Sequence, residues 1–396
     1  MNQMSPPEAP QTALALADTL SDALNTIDLA TFEPDARKTL RLFPAGEVAD
    51  LIGVTPQFLR GLHGEGRIPD ASDSKGGRRL YSAADIHAIR VALEENARGN
   101  KGAYIRGRRP GDKLQVFTIM NFKGGSGKST TALTLAHRLA LASYRVLCID
   151  LDPQATLTST FGFRPAIDLQ NIHTIYDAVR YDEPVTMRDV IQSTYFHNID
   201  IACADLQLQS FEHETAAVLG DKSKRDVPFY QRLAMSLGDV ADDYDIVLMD
   251  APPQLGFLTI AGAVASTSVI VPTTASMLDV SSTSQFLRMT GELLEIIQGQ
   301  GVTMRFDNFR FLVTRYEPNE GPQQDIMATL RKLFSGRVMK NAVLKSTAIS
   351  TAALSKQSIY EIPRTSIHRN TYDRARENMD AVVMEVDEMI QQAWGR

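Results

Sequence analysis

The stretch Asn121-Phe-Lys-Gly-Gly-Ser-Gly-Lys-Ser-Thr130 constrains this chain more than any other. It stands between an apolar run, QVFTIM at 115–120, and a helix-period segment that continues to Leu141. Backbone N–H groups converge on a phosphate only where no side chain blocks them, which is the use of Gly124, Gly125 and Gly127. The helix that follows points its positive end at the same anion. Lys128 adds a formal charge for the β- and γ-phosphates, and the Ser129 hydroxyl suits Mg²⁺, with Ser126 and Thr130 completing the loop. A tight turn without a ligand needs none of this chemistry. The residues therefore predict a nucleotide site for ATP and Mg²⁺, since no Asn-Lys-x-Asp guanine-reading motif occurs.

The rest of the pattern alternates. Strand-like runs recur at 145–150, 198–204, 244–250, 268–272 and 310–314, separated by helix-period segments such as 278–298. Strands that are apolar throughout and interleaved with helices predict an α/β fold with a parallel sheet covered on both faces. Two of these strands end in acid: RVLCID at Asp150, with Asp152 just beyond, and YDIVLMD at Asp250. One aspartate alone reads as a solvated strand end. Three beside a phosphate loop, at the carboxyl edge of a parallel sheet, read as a site.

One detail departs from the common phosphate loop, which has glycine six residues before its lysine. Here that place holds Phe122, and Lys123 precedes the glycine pair. The sequence KGGSGKST resembles the deviant Walker A motif of the ParA/MinD ATPases, and the likeness extends over 115–390, including PTTASMLDVSS (272–282) and VLKSTAISTAA (343–353). The resemblance implies a P-loop ATPase domain over 114–396 that dimerises on ATP. It implies that Lys123 reaches the partner's nucleotide, and that Asp152 orients the attacking water. Mg²⁺ would be held by Ser129, Asp150 and Asp250, the last through water. No arginine is evident to assist from within the chain, so slow hydrolysis without a partner is expected.

Charge points to a second unit. The net charge is −6, yet residues 37–113 hold 15 Lys/Arg against 9 Asp/Glu, a local +6 that leaves −12 for the remainder. Residues 1–39 suggest an N-terminal arm or dimerisation helix, and 96–113 a basic linker. Between them, at 40–95, Pro44 opens a helix, Gly53 ends it and Thr55-Pro56 starts a second. Lys75-Gly-Gly-Arg-Arg-Leu-Tyr81 then reads as a short basic hairpin, and Ser82 with Asp85 caps a third helix. This unit is similar to the winged helix-turn-helix of MerR-type regulators. Gln57 and Arg60 would face DNA from the second helix, and Arg78 and Arg79 from the wing. A small protein-docking domain is the competing reading, which the local charge disfavours.

A ParA-type ATPase behind such a unit is similar to the plasmid partition proteins that also repress their own operon, above all those of repABC replicons. The layout implies an ATP-dependent DNA segregation ATPase, cytoplasmic and nucleoid-associated. It would bind an operator through the front unit and coat DNA without preference through the ATPase dimer, with Lys340 and Lys345 as candidate contacts. Its implied partner is a centromere-binding protein of the ParB/RepB type. The alternative is an ATP-gated transcriptional regulator without a segregation role. A membrane-bound MinD-like role is disfavoured, since MDAVVMEVDEMIQQ carries four acidic groups and no basic one. Cys148 and Cys203 sit inside apolar runs and lack the spacing of a metal or cluster site.

Overall fold

The computed structural model describes residues 14–17, 19–20, 38–75, 78–97, 102–221 and 227–396. The expected N-terminal arm, 1–39, lies almost wholly outside them. Seven strands form the main sheet, in the order β10-β9-β4-β8-β5-β7-β6. They are β4 (Gln115–Ile119), β5 (Val146–Asp150), β6 (Ile191–Ser193), β7 (Ile199–Ala202), β8 (Ile246–Asp250), β9 (Ser268–Thr274) and β10 (Asn308–Thr314). All neighbours are parallel except β6, which lies antiparallel on β7 at one edge. The sequence did not mark β6, whose three residues are too short to show a period.

β4, β5 and β8 are buried at every residue, as a sheet covered on both faces requires. The helix after the phosphate loop, α4 (Lys128–Leu141), packs between the sheet and a long C-terminal helix, α9 (Arg369–Ala393). Four further helices carry side chains used below: α5 (Thr156–Thr160), α6 (Met277–Gln298), α7 (Gly321–Leu333) and α8 (Thr347–Leu354). No helix among the described residues is long and apolar enough to cross a membrane.

The front unit has the three expected helices, α1 (Ala45–Ile52), α2 (Pro56–Gly64) and α3 (Ala83–Glu95). Thr55 caps α2 by accepting from the Phe58 N–H at 3.1 Å, and Ser82 with Asp85 forms a reciprocal capping box on α3. The wing is a three-stranded sheet in which β3 (Arg78–Tyr81) pairs with β2 (Asp73–Lys75) and with β1 (Phe43–Pro44).

This unit does not hang from a linker. Its core residues Phe43, Leu59, Ile86 and Ile89 belong to the same apolar core as Leu139, Tyr144 and Val383. Arg90, 5% exposed, donates to the carbonyls of Leu51 in α1, Tyr104 in the connecting segment and Leu141 at the end of α4. Hydrogen bonds to a charged group contribute roughly 1.5–3 kcal/mol each, so Arg90 fastens three elements at once. Glu47 lies between Arg41 and Arg376 of α9; burial would push its carboxyl up, but the two guanidinium groups hold it below the usual range.

The connecting segment is likewise a strap, not a free basic linker. Glu94 accepts the N–H groups of Gly102, Tyr104 and Ile105, Arg106 pairs with Asp387, and Arg108 donates to the carbonyls of Ala241 and Tyr244. Much of the local positive charge is thus spent inside the protein.

Candidate nucleotide site and DNA-facing surfaces

The phosphate loop leaves the end of β4 and enters α4 through Gly127, the residue before the first turn. Gly125 and Gly127 hold φ of +73° and +91°, which L side chains rarely adopt, so glycine is required at both. The loop is tied from outside as well. Asn121 donates to the Pro272 carbonyl at 2.7 Å, and the Thr314 hydroxyl at the end of β10 donates to the Ser126 carbonyl at 2.8 Å. Lys128 is buried, and its ammonium points back to the Lys123 carbonyl at 3.4 Å. Burial pulls that ammonium below its usual range, against the opposing pull of Asp250 and Asp152.

The three aspartates, alike in sequence, have different surroundings. β5 and β8 are neighbours in register, which sets Asp150 beside Asp250. Asp150 has donors on both oxygens: the Asp152 N–H at 3.1 Å on one, and the Thr158 N–H and hydroxyl at 2.8 Å on the other. Burial still pushes its carboxyl up to about 7. Asp150, expected to hold the metal, thus uses three hydrogen bonds to fasten the turn leading into α5. Asp250 is fully buried, and neither oxygen has a well-formed hydrogen bond; the Ser129 hydroxyl beside it only partly offsets the burial. Burial first, and the Asp150 carboxyl second, push Asp250 well above the usual carboxylate range. Asp152 accepts the Gln154 N–H on one oxygen at 2.9 Å, which leaves the other without a protein donor. Burial raises this carboxyl too, against the Lys128 charge.

Buried polar groups without partners mark where a ligand completes the hydrogen bonding. Those around the phosphate loop include both Asp250 oxygens and the Ser126 hydroxyl. A hydrated divalent cation beside phosphate fits that set, because Mg²⁺ keeps waters and takes one or two protein oxygens. Ser129 and Asp250 are the residues that could hold it.

Beside the loop, a cavity of about 280 Å³ is lined by Gly127, Thr131, Thr314, Arg315, Leu344 and Lys345, among others. It continues from the phosphate loop between α4 and α9, where Thr131, Leu135 and Val383 line it. Thr314 and Arg315 were not foreseen from sequence. Arg315 sits at φ +52°, an unusual backbone for a non-glycine residue and a signal only coordinates supply. Lys345, expected on DNA, lines this cavity and pairs with Glu317 at 2.9 Å, with its side chain 63% exposed.

Gln57 and Arg60 are exposed on α2, Arg78 is exposed on the wing and Arg79 half-buried. Lys340 is exposed on a separate ridge along the edge strand β10. There Arg310 and Arg337 line one depression with Phe306, Phe309 and one carboxylate, Asp307, and the Arg331 guanidinium reaches the Lys340 carbonyl. The fifteen residues 326–340 carry four cations and no carboxylate. Among the described residues none of Arg310, Arg331, Arg337 or Lys340 forms an ion pair. Such a ridge suits a polyanion. It lies at one edge of the sheet, whereas the front unit sits toward the other, with His87 of α3 against His197 just before β7.

A parallel sheet, a glycine-built phosphate loop with a second lysine, and a strand-end aspartate with free oxygens define a nucleotide switch of the P-loop class, preceded by a winged helix-turn-helix. Comparison with known proteins agrees. An AAA domain model matches residues 114–300, and a MerR HTH family regulatory protein model matches residues 43–94. A chain named replication protein A from Sinorhizobium fredii is 42% identical over 405 residues, covering 100% of this chain and 99% of the relative. A solved structure titled as a partition protein has the same fold over 97% of this chain and 99% of its own, with TM-score 0.64 at 17% identity. A plasmid partition protein of Borrelia burgdorferi solved with AMPPNP matches 69% of this chain and 100% of its own, with TM-score 0.51 at 21% identity. The chain belongs to the ParA family of ATPases, with an N-terminal MerR-type domain.

Proposed function

We propose that this chain is a DNA segregation ATPase that dimerises on Mg·ATP, coats DNA and represses its own operon through the front unit. The observation that carries the reading is the buried Asp250 carboxyl beside Lys128 and Ser129, without a well-formed hydrogen bond on either oxygen, with Lys123 at the rim of the same loop. Lys128 and the loop N–H groups would bind the phosphates, and Ser129 and Asp250 would hold Mg²⁺, which screens the charge on the leaving phosphate. The free oxygen of Asp152 would orient the attacking water. Lys123 would act across the dimer on the partner's nucleotide. The names of the relatives, replication protein A and partition protein, support segregation over regulation alone. A centromere-binding partner of the ParB/RepB type would stimulate hydrolysis. A fluorescent fusion in cells tests the whole reading: a dynamic, nucleoid-wide signal supports it, and a static signal confined to one operator locus would refute segregation.

Lys123→Ala should keep nucleotide binding by the single chain, yet weaken ATP-dependent dimerisation and turnover. In mixtures it should depress the activity of wild-type partners. Independent activities in the mixed dimer would refute action in trans.

DNA binding should separate into two modes. Arg78→Ala with Arg79→Ala should remove operator preference and keep ATP-dependent binding to random duplex. Arg337→Ala with Lys340→Ala should do the reverse. Each lost phosphate contact should lower the salt slope by about 0.9. Filter binding of both double variants across a salt series is the measurement. Equal losses on both duplexes would merge the two surfaces into one. Point variants are the right tool, because cutting the chain after 113 would expose the core shared by the two units.

A further inference from the structure

Ser276-Met-Leu-Asp279 reads as an ordinary helix start. Ser276 caps α6 by accepting the Asp279 N–H at 3.2 Å. An acid at this third helical position usually turns back to the N–H of the cap residue, closing a reciprocal box. Asp85, Asp177 and Asp189 all do so in this chain. Asp279 does not. Its carboxylate, only 5% exposed, is turned across the phosphate loop. One oxygen accepts the Thr274 hydroxyl at the end of β9, and the other meets the Lys123 ammonium. The Lys123 side chain remains 41% exposed at the mouth of the loop.

The Ser276 N–H that would close the box donates instead to the Thr274 carbonyl at 2.9 Å, which leaves the Asp279 carboxylate available to Lys123. A lysine ammonium has three N–H donors and no acceptor. One donor on Asp279 leaves two for an anion arriving from outside. Lysine is also long and rich in rotamers, so holding its head in one place removes an ordering cost from any later contact. Thr274 fixes the carboxylate on a strand end, which makes a rigid anchor for a flexible side chain.

We propose that Asp279 is a positioning residue for Lys123, holding its ammonium at the rim of the loop where a second copy's nucleotide phosphate would meet it. This rests on the trans-acting reading of Lys123. Asp279 itself touches no substrate.

The test uses the full-length chain and the variants Asp279→Asn, Asp279→Glu, Ser276→Ala, Lys123→Ala and the double variant of Asp279→Asn with Lys123→Ala. ATP affinity of the single chain is read by equilibrium dialysis, ATP-dependent dimerisation by light scattering, and turnover by phosphate release. The exposure of Lys123 is read without nucleotide, from its acylation rate by mass spectrometry. Asp279→Asn should leave ATP affinity within twofold, speed acylation of Lys123, and lower turnover roughly tenfold to a hundredfold, the scale of a misplaced reacting group. Asp279→Glu should recover part of the loss. Ser276→Ala, which removes the helix cap and leaves the pair, should stay within twofold of wild type. In the Lys123→Ala background, Asp279→Asn should cost nothing further. Additive losses in the double variant would make Asp279 merely structural and overturn the proposal. Stronger dimerisation by Asp279→Asn would also overturn it, by making the pair a lock. A wild type that forms no ATP dimer would sink the trans-acting reading itself, a result distinct from either of these.

Discussion

Lys128→Ala is expected to abolish useful nucleotide binding. The side chain is buried at the foot of the phosphate loop, with Asp250 and Asp152 as its neighbouring charges. In a bound complex its ammonium would pair with phosphate away from water, where truncating one partner of a charge pair costs about 2–5 kcal/mol. That is a rise in Kd of roughly thirtyfold to a few thousandfold. The fold should survive the change, because the loop is also held by Asn121 on the Pro272 carbonyl and by Thr314 on the Ser126 carbonyl. Equilibrium dialysis with labelled ATP measures the loss, and circular dichroism checks that the chain is folded. Wild-type affinity in the variant would refute the phosphate-loop assignment.

Asp152→Ala has the second large expected effect, and it should separate binding from turnover. Asp152 lies at the turn after β5 with one oxygen on the Gln154 N–H and the other free of protein donors. It makes no hydrogen bond to the loop that would grip phosphate, and its one link to that loop is the charge of Lys128. The variant should therefore bind ATP nearly as wild type does, while turnover falls by about 10²–10⁴, the usual cost of losing a positioned acid–base or water-orienting group. A dimer formed on ATP would then persist. Light scattering should show a stable dimer with ATP, and phosphate release should be close to background. A variant that stays monomeric with ATP would give Asp152 a different task.

The two strand-end aspartates show how far sequence reasoning reaches. Asp150 and Asp250 each close an apolar strand, and both face the phosphate loop at the same sheet edge. Nothing in their own segments separates them. The difference is Thr158, which gives Asp150 two donors, while nothing comparable approaches Asp250. The same applies to charge. Counting Lys and Arg between 37 and 113 correctly marked the front of the chain as unusual. The count could not know that Arg41, Arg90, Arg106 and Arg108 turn inward to Glu47, backbone carbonyls and Asp387. The pairing of Lys345 with Glu317 was illegible for a related reason, because a lysine in a loop carries no sign of the carboxylate or cavity it will meet.

What the sequence determined by itself is whatever depends on backbone conformation and local period. The phosphate loop, its glycines at positive φ, the alternation of buried strands and helices, and the caps of the front helices are all of this kind. Each follows from steric limits on a few consecutive residues, so each is written in those residues. The tertiary structure decided which like residues do different work: Asp250 left free and Asp150 tied, the front unit fastened to the ATPase core by Arg90, and Asp279 turned from its own helix toward Lys123. These choices rest on contacts between segments far apart in the chain. The strength of a buried polar contact depends on the partner's position and on the water excluded, and neither is encoded at the residue itself.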